Sequence, residues 1–204
     1  MRGTVTCVAL ALLAGCGVGG TETPAKLPTP GLEKHHGAVV ESKPTRAQQP
    51  SDACGDTSAS PTADNLRAVA SAVVCLLNAE RRGAGLPALR PNGPLKRASQ
   101  RMANEMVRQS FFSHETPDGR SLVDRVRPTG YIEGDWALGE NLAWGSGGLA
   151  TPRAIVNGWM DSPGHRSNIL YAGFRDVGIG IKLGAPRPDL SGGATYVTDF
   201  GRHG

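Results

Sequence analysis

The sequence predicts an α+β fold. Helical signals fill the middle of the chain, strand signals gather at its C-terminal end, and no βα unit repeats between them. On a helical wheel of residues 66–80, Leu66, Val69, Ala70, Val73 and Leu77 share one face. Thr62 or Asp64 is placed to cap this helix, which should stop near Gly83-Ala84-Gly85, ahead of Pro87. A second helix starts at Pro94, a favoured first-turn residue. Leu95, Ala98, Met102 and Met106 form its apolar face, opposite Arg97, Arg101, Asn104 and Arg108. The string Thr116-Pro117-Asp118-Gly119 suits a type I turn, and a short helix through Leu122 and Val126 follows, ending before Pro128. Thr151-Pro152 and Ser162-Pro163 are two further cap-plus-first-turn pairs. The first opens a helix carrying Ile155, Val156 and Trp159, and the second opens a helical turn bearing His165. Residues 176–183 (DVGIGIKL) alternate Val177, Ile179, Ile181 and Leu183 with small or polar residues, and 194–200 (ATYVTDF) are β-branched and aromatic. The turn formers of 184–193 between them suit an antiparallel hairpin.

With 204 residues the chain is long enough for one packed domain plus extensions. Its net charge of +4 comes from scattered side chains, with no run of five Lys or Arg and no aromatic-basic stripe, which excludes a nucleic-acid partner. The N-terminus is more specific. Met1-Arg2 and the apolar stretch of residues 4–14 form a secretory signal, too short to span a bilayer as a mature helix. It ends in Leu13-Ala14-Gly15-Cys16, which resembles a bacterial lipoprotein signal. Residues 1–15 are thus expected to be removed and Cys16 to carry lipid, leaving the protein extracytoplasmic and anchored to a bacterial membrane. Residues 16–60, rich in Pro, Thr, Ser, Lys and Glu, read as a flexible tether, and 61–204 as the domain.

Export permits disulfides, and once Cys7 leaves and Cys16 is lipidated, Cys54 and Cys75 remain. The wheel puts Cys75 away from the apolar stripe, free to meet the preceding segment. A Cys54–Cys75 bridge would close a loop of about 22 residues and contribute about 3 kcal/mol.

Two histidines mark the candidate site. His114 lies in FFSHETPDGRSL (111–122) and His165 in WMDSPGHRSNIL (159–170), with GENLAWG (139–145) between them. His35 and His36 fall in the tether, and His203 is next to last. Imidazole changes charge and metal affinity near neutral pH, so two of them with the Glu140 carboxylate would make a site if the fold converges them.

These strings, with LLNAERRGAGLPAL (76–89) and the closing VGIG and YVTDFG, resemble the CAP superfamily of cysteine-rich secretory, antigen 5 and pathogenesis-related 1 proteins, also called SCP-like domains. The resemblance covers residues 66–201 and is strongest to the bacterial exported branch. It implies an α-β-α sandwich around a central, mainly antiparallel sheet. It also implies a cleft gathering two histidines and two acids, of which His114, Glu140 and His165 match by motif. The second acid has no match, since Gly119, Arg120 and Ser121 stand where many eukaryotic members have a glutamate.

Three readings of this group stay open. Two neutral imidazoles and one carboxylate would suit Zn²⁺ with an open fourth position, serving a metal-dependent hydrolase. A carboxylate could instead orient an imidazole for acid–base chemistry. Or the three side chains could form a structural, ligand-orienting network. Asn141, Trp144 and Arg166 are candidates to line the cleft, against core packing for Trp144 and a surface role for Arg166. Gly-x-Ser-x-Gly, P-loop and dinucleotide motifs are absent. The expectation leans to an envelope binding module over an enzyme, with the metal-dependent hydrolase kept as the alternative, and the resemblance implies lipids, sterol-like molecules or envelope polymers as ligands. A structural protein with a vestigial cleft is the remaining alternative.

Overall fold

The computed structural model describes residues 4–6 and 52–204. Cys16, most of the signal and the tether up to residue 51 lie outside the described residues.

The folded domain starts earlier than the composition suggests. Asp52–Cys54 forms a 3-10 turn, and Cys54 is joined to Cys75 by a disulfide whose Cα atoms lie 5.4 Å apart. Thr57 is buried; its carbonyl accepts from the Arg153 N–H at 3.0 Å and its hydroxyl from Arg153 Nη2 at 2.6 Å. Ordered structure therefore extends ahead of the tether boundary expected at residue 60, over the described residues from Asp52 on. Segment 52–60 is held by a covalent link and polar contacts, which an apolar pattern does not register.

Among the described residues five α-helices follow in the expected order: α1 (Leu66–Gly83), α2 (Gly93–Gln109), α3 (Leu122–Val126), α4 (Pro152–Asp161) and α5 (Pro163–Ile169). The starts of α2, α3 and α4 obey local chemistry, whereas Ser162, expected to cap α5, makes no side-chain cap bond there. Asn92 Oδ1 accepts the Leu95 N–H at 3.1 Å ahead of α2, Ser121 and Asp124 form a reciprocal capping box at α3, and Thr151 caps α4. Helix α1 departs from expectation. Its cap position is Asn65, whose amide turns back to Thr62 N at 2.7 Å and Ser60 O at 3.0 Å, fixing the chain before the helix.

The described strands are β1 (Thr4–Thr6), β2 (Arg90–Pro91), β3 (Trp136–Gly145), β4 (Asp176–Leu183) and β5 (Ala194–His203), in spatial order β1-β3-β5-β4-β2. The long pairs β3–β5 and β5–β4 are antiparallel, with the short β1 and β2 parallel at the edges. Strand β1 belongs to the segment expected to leave with the signal, and cleavage after Gly15 would make β3 an edge.

Helices cover both faces of the sheet. Val177, Ile179 and Ile181 of β4 and Tyr196 and Phe200 of β5 pack with Val73, Leu77 and Trp159 of α1 and α4. On the other face, Leu95, Leu122, Val126 and Leu138 form one cluster, and Met102, Met106, Leu142 and Val197 another. Helix α2 lies directly on β4: a Cβ at Gly178 would come within 2.2 Å of Lys96 N, and one at Gly180 within 2.3 Å of the Ser99 carbonyl carbon. The glycines alternating with Val177, Ile179 and Ile181 are thus what lets the helix approach the sheet.

Arg81 is the main surprise inside. Glu80 is exposed, whereas Arg81, one residue on, is fully buried at the end of the α1 stripe. Its guanidinium donates to the carbonyls of Pro87 (2.9 Å), Ile169 (2.7 Å), Tyr171 (3.0 Å) and Phe174 (3.2 Å). One side chain thereby ties α1 to the C-terminal end of α5, the helix carrying His165.

Candidate functional site around Glu140

Strand β3 divides the motif residues between two layers. Leu138, Glu140 and Leu142 point toward α2 and α3, while Gly139 and Asn141 point toward α5. Glu140 is fully buried, and both its oxygens are engaged. Oε1 lies 2.7 Å from His114 Nδ1, and Oε2 accepts from Arg125 Nη2. Arg125 Nη1 also donates to the His114 carbonyl at 2.7 Å. The guanidinium therefore holds both the carboxylate and the loop that presents the imidazole. Because the carboxylate accepts from Nδ1, it fixes the His114 tautomer and turns Nε2 into the basic nitrogen. That arrangement can orient a proton acceptor.

Asp199 of β5 stands directly across from Glu140 in the strand register. It is buried, and its Oδ2 lies 2.9 Å from Ser99 Oγ. Burial first, then the Glu140 charge, push the Asp199 carboxyl well above the usual carboxylate range, against the opposing pull of Arg125 and Ser99. The hydrogen-bond geometry agrees. Ser99 Oγ also sits 2.9 Å from the Leu95 carbonyl and 3.1 Å from that of Gly178, so its single proton has carbonyl acceptors and its oxygen can accept from a protonated Asp199.

His165 lies on α5, 8% exposed, with its carbonyl accepting from Asn141 Nδ2 at 3.1 Å. Burial, then the charge of His114, lower its pKa below the ordinary histidine value, so the ring is neutral at neutral pH. Asn168 Nδ2 bridges the Glu140 carbonyl (3.1 Å) and Asn141 Oδ1 (2.9 Å), clamping α5 to β3. Asn141 is thus corrected from a cleft-lining residue to a buried clamp. Trp144 is half-buried and Arg166 exposed, while Trp159 is core, its indole N–H donating to the Leu142 carbonyl at 3.0 Å.

Comparison with known proteins decides the family. The model of the cysteine-rich secretory protein family, CAP, matches residues 74–198. The chain belongs to the CAP family. An uncharacterized Bacillus subtilis protein, YkwD, is 30% identical over 143 residues, covering 70% of this chain and 53% of its own length. A solved extracellular protein of Bacillus anthracis containing an SCP domain superposes with a TM-score of 0.55 at 25% identity, over 72% of this chain and 45% of that one. An outer surface protein of Borrelia burgdorferi shares the fold, with a TM-score of 0.57 at 17% identity, over 72% of this chain and all (100%) of that one. The chain thus spans about half the length of the first two relatives.

Within this CAP domain His114, Glu140 and His165, the possible zinc set, are not brought together as ligands. Among the described residues no group of three or more His, Cys, Asp or Glu side chains is placed to hold a metal ion. The carboxylate that would ligate already faces an imidazole on one oxygen and a guanidinium on the other. The site residues do not fit Zn²⁺ as they stand. Two members of the cluster, Arg125 and Asp199, lie outside the candidate site residues of the sequence. Arg125 follows Leu122 by three residues and shares its buried helix face, and Asp199 follows Val197 by two on the inner face of β5. A charged residue in each apolar pattern was the available signal.

Proposed function

We propose that this CAP domain is a binding module of the cell envelope, held outside the cytoplasm on a bacterial membrane by lipid on Cys16, with a hydrophobic ligand. The observation that carries the reading is a groove of about 500 Å³ between α1, the start of α2 and the outer edge of β4. Leu66, Ala70 and Val74 form one wall and Val177, Ile179 and Ile181 the floor, while Arg67, Lys96 and Gln100 add polar groups. That size and mix of apolar lining with a few polar groups suit a small amphiphile. The extracellular and outer-surface descriptions of two structural relatives support placement outside the cytoplasm. The Glu140 cluster, inward-facing and largely buried, then serves to fix the α3 and α5 segments around β3.

Displacement of a fluorescent fatty-acid probe tests the ligand reading. Wild type should bind it saturably, and Ala70→Phe, which fills the groove, should bind at least tenfold more weakly. No saturable binding to wild type, or equal binding by both, would refute the reading. For the anchor, Cys16→Ser should move the protein from the membrane fraction to the soluble one; unchanged fractionation would count against lipidation.

A further inference from the structure

We propose that the groove takes an N-acylated amino acid, its amide and carboxylate bound to the open edge of β4 and its acyl chain lying along the α1 wall; this rests on the reading of the groove as a ligand site. The outer edge of β4 is taken up on either side of Ile179. Strand β2 pairs only with Asp176 and Val177, and the Asn92 N–H meets the Val177 carbonyl at 2.8 Å. Further along, the Gln100 side-chain amide occupies Ile181, with Nε2 donating to its carbonyl at 2.9 Å and Oε1 accepting its N–H at 3.2 Å. Every second residue of a strand turns its backbone groups to the same edge, so Ile179, midway between them, also presents its N–H and C=O outward. Among the described residues no strand or side chain takes up that pair, and Ile179 lies in the floor of the groove.

An extended N-acyl amino acid matches this edge. Its amide N–H and one carboxylate oxygen lie on the same side, as the N–H and C=O of a strand residue do. The first can donate to the Ile179 carbonyl and the second accept the Ile179 N–H. Gln100 satisfies Ile181 in the same way, with an amide oxygen in the place of the carboxylate. The charges agree. Arg67 and Lys96, both exposed, contribute to the groove, and no acidic side chain lines it. Neither cation makes an ion pair among the described residues. An anionic head is therefore favoured over a neutral or cationic one. Beyond the head, Leu66, Ala70 and Val74 offer apolar contact, which suits an acyl chain better than further peptide units.

The test is displacement of the fluorescent fatty-acid probe from the full-length protein, together with hydrogen exchange at the Ile179 amide. N-lauroylglycine should displace the probe at a concentration about tenfold below that of N-lauroylsarcosine, whose N-methyl group removes the donor to Ile179. Dodecyltrimethylammonium, of the same chain length and opposite charge, should be weaker than either. N-lauroylglycine should also slow exchange of the Ile179 amide. The double substitution Arg67→Gln/Lys96→Gln should weaken N-lauroylglycine about tenfold and leave dodecanol unaffected. Equal displacement by the glycine and sarcosine compounds, or unchanged exchange at Ile179, would overturn the proposal while leaving the groove as a ligand site. A protein that binds no probe would overturn both.

Discussion

Removing the Arg81 guanidinium should unfold the domain more readily than any single surface change. Arg81→Met keeps the length and apolar stem of the side chain but leaves four carbonyls, of Pro87, Ile169, Tyr171 and Phe174, without their donor. Hydrogen bonds from charged groups contribute about 1.5–3 kcal/mol each, yet four on one fork are not additive. A buried carbonyl left without its donor costs about 1–3 kcal/mol, and four that share one donor group sum to less than four times that, so the expected loss is about 3–5 kcal/mol. For a domain of this size each kcal/mol lowers Tm by about 2–4 °C, so the midpoint should fall by about 10 °C. Urea denaturation and calorimetry measure both quantities. Arg82→Met is the control, since Arg82 is exposed and its loss should stay within about 0.5 kcal/mol. Hydrogen exchange adds a positional readout, because protection should drop first at the C-terminal end of α5. An Arg81→Met variant within about 1 kcal/mol of wild type would refute the reasoning that this residue joins α1 to α5.

The remaining predictions concern the staple and the buried acid. The double substitution Cys54→Ser/Cys75→Ser should cost about 3 kcal/mol by the chain-entropy estimate, and a reducing agent should lower wild-type stability by the same amount while leaving the variant unchanged. Asp199 should make stability fall as pH rises. Its folded pKa is raised, so its contribution is fully present below the unfolded value of 3.8 and is lost as pH climbs toward the folded value. That loss approaches about 1.4 kcal/mol per pH unit for one proton, and Asp199→Asn should remove the slope in denaturation series run from pH 4.5 to 7. An identical pH slope in both proteins would show that Asp199 is ionised in the fold. His165 acts in the opposite sense: its lowered folded pKa makes stability fall as pH drops below 6.5, a limb that His165→Gln should flatten.

How much of this was legible in the sequence follows from the range of the interactions. Helices α2 and α4 announce themselves through Pro94 and the Thr151-Pro152 pair, because first-turn and cap preferences act within three residues; the caps Asn92 and Ser121 emerge only in the structure. The β4–β5 hairpin is visible because Val177, Ile179 and Ile181 alternate with residues that α2 must approach closely. Strand β3 is harder to see: residues 137–142 are buried on both faces, so GENL shows no polar alternation. Cys75 could be paired from its wheel position, but the order of residues 52–60 could not be read, since Thr57 is held by Arg153 from the far side of the sequence. The motifs located His114, Glu140 and His165, and the structure puts the first two in direct contact. Arg125, Asp199 and Arg81 were invisible for a common reason. Each is a charged side chain on an apolar face, buried by partners distant in sequence, and its charge outweighs its position in a local reading.

The most direct measurement of the account is mass spectrometric identification of what co-purifies with the protein from its native envelope. The account predicts a hydrophobic molecule in near-stoichiometric amount on wild type and its loss from the Ala70→Phe groove variant, with the Glu140→Gln variant retaining it. A wild-type protein that carries no such molecule, or a ligand that leaves with Glu140→Gln and stays with Ala70→Phe, would contradict the assignment of the groove as the binding site.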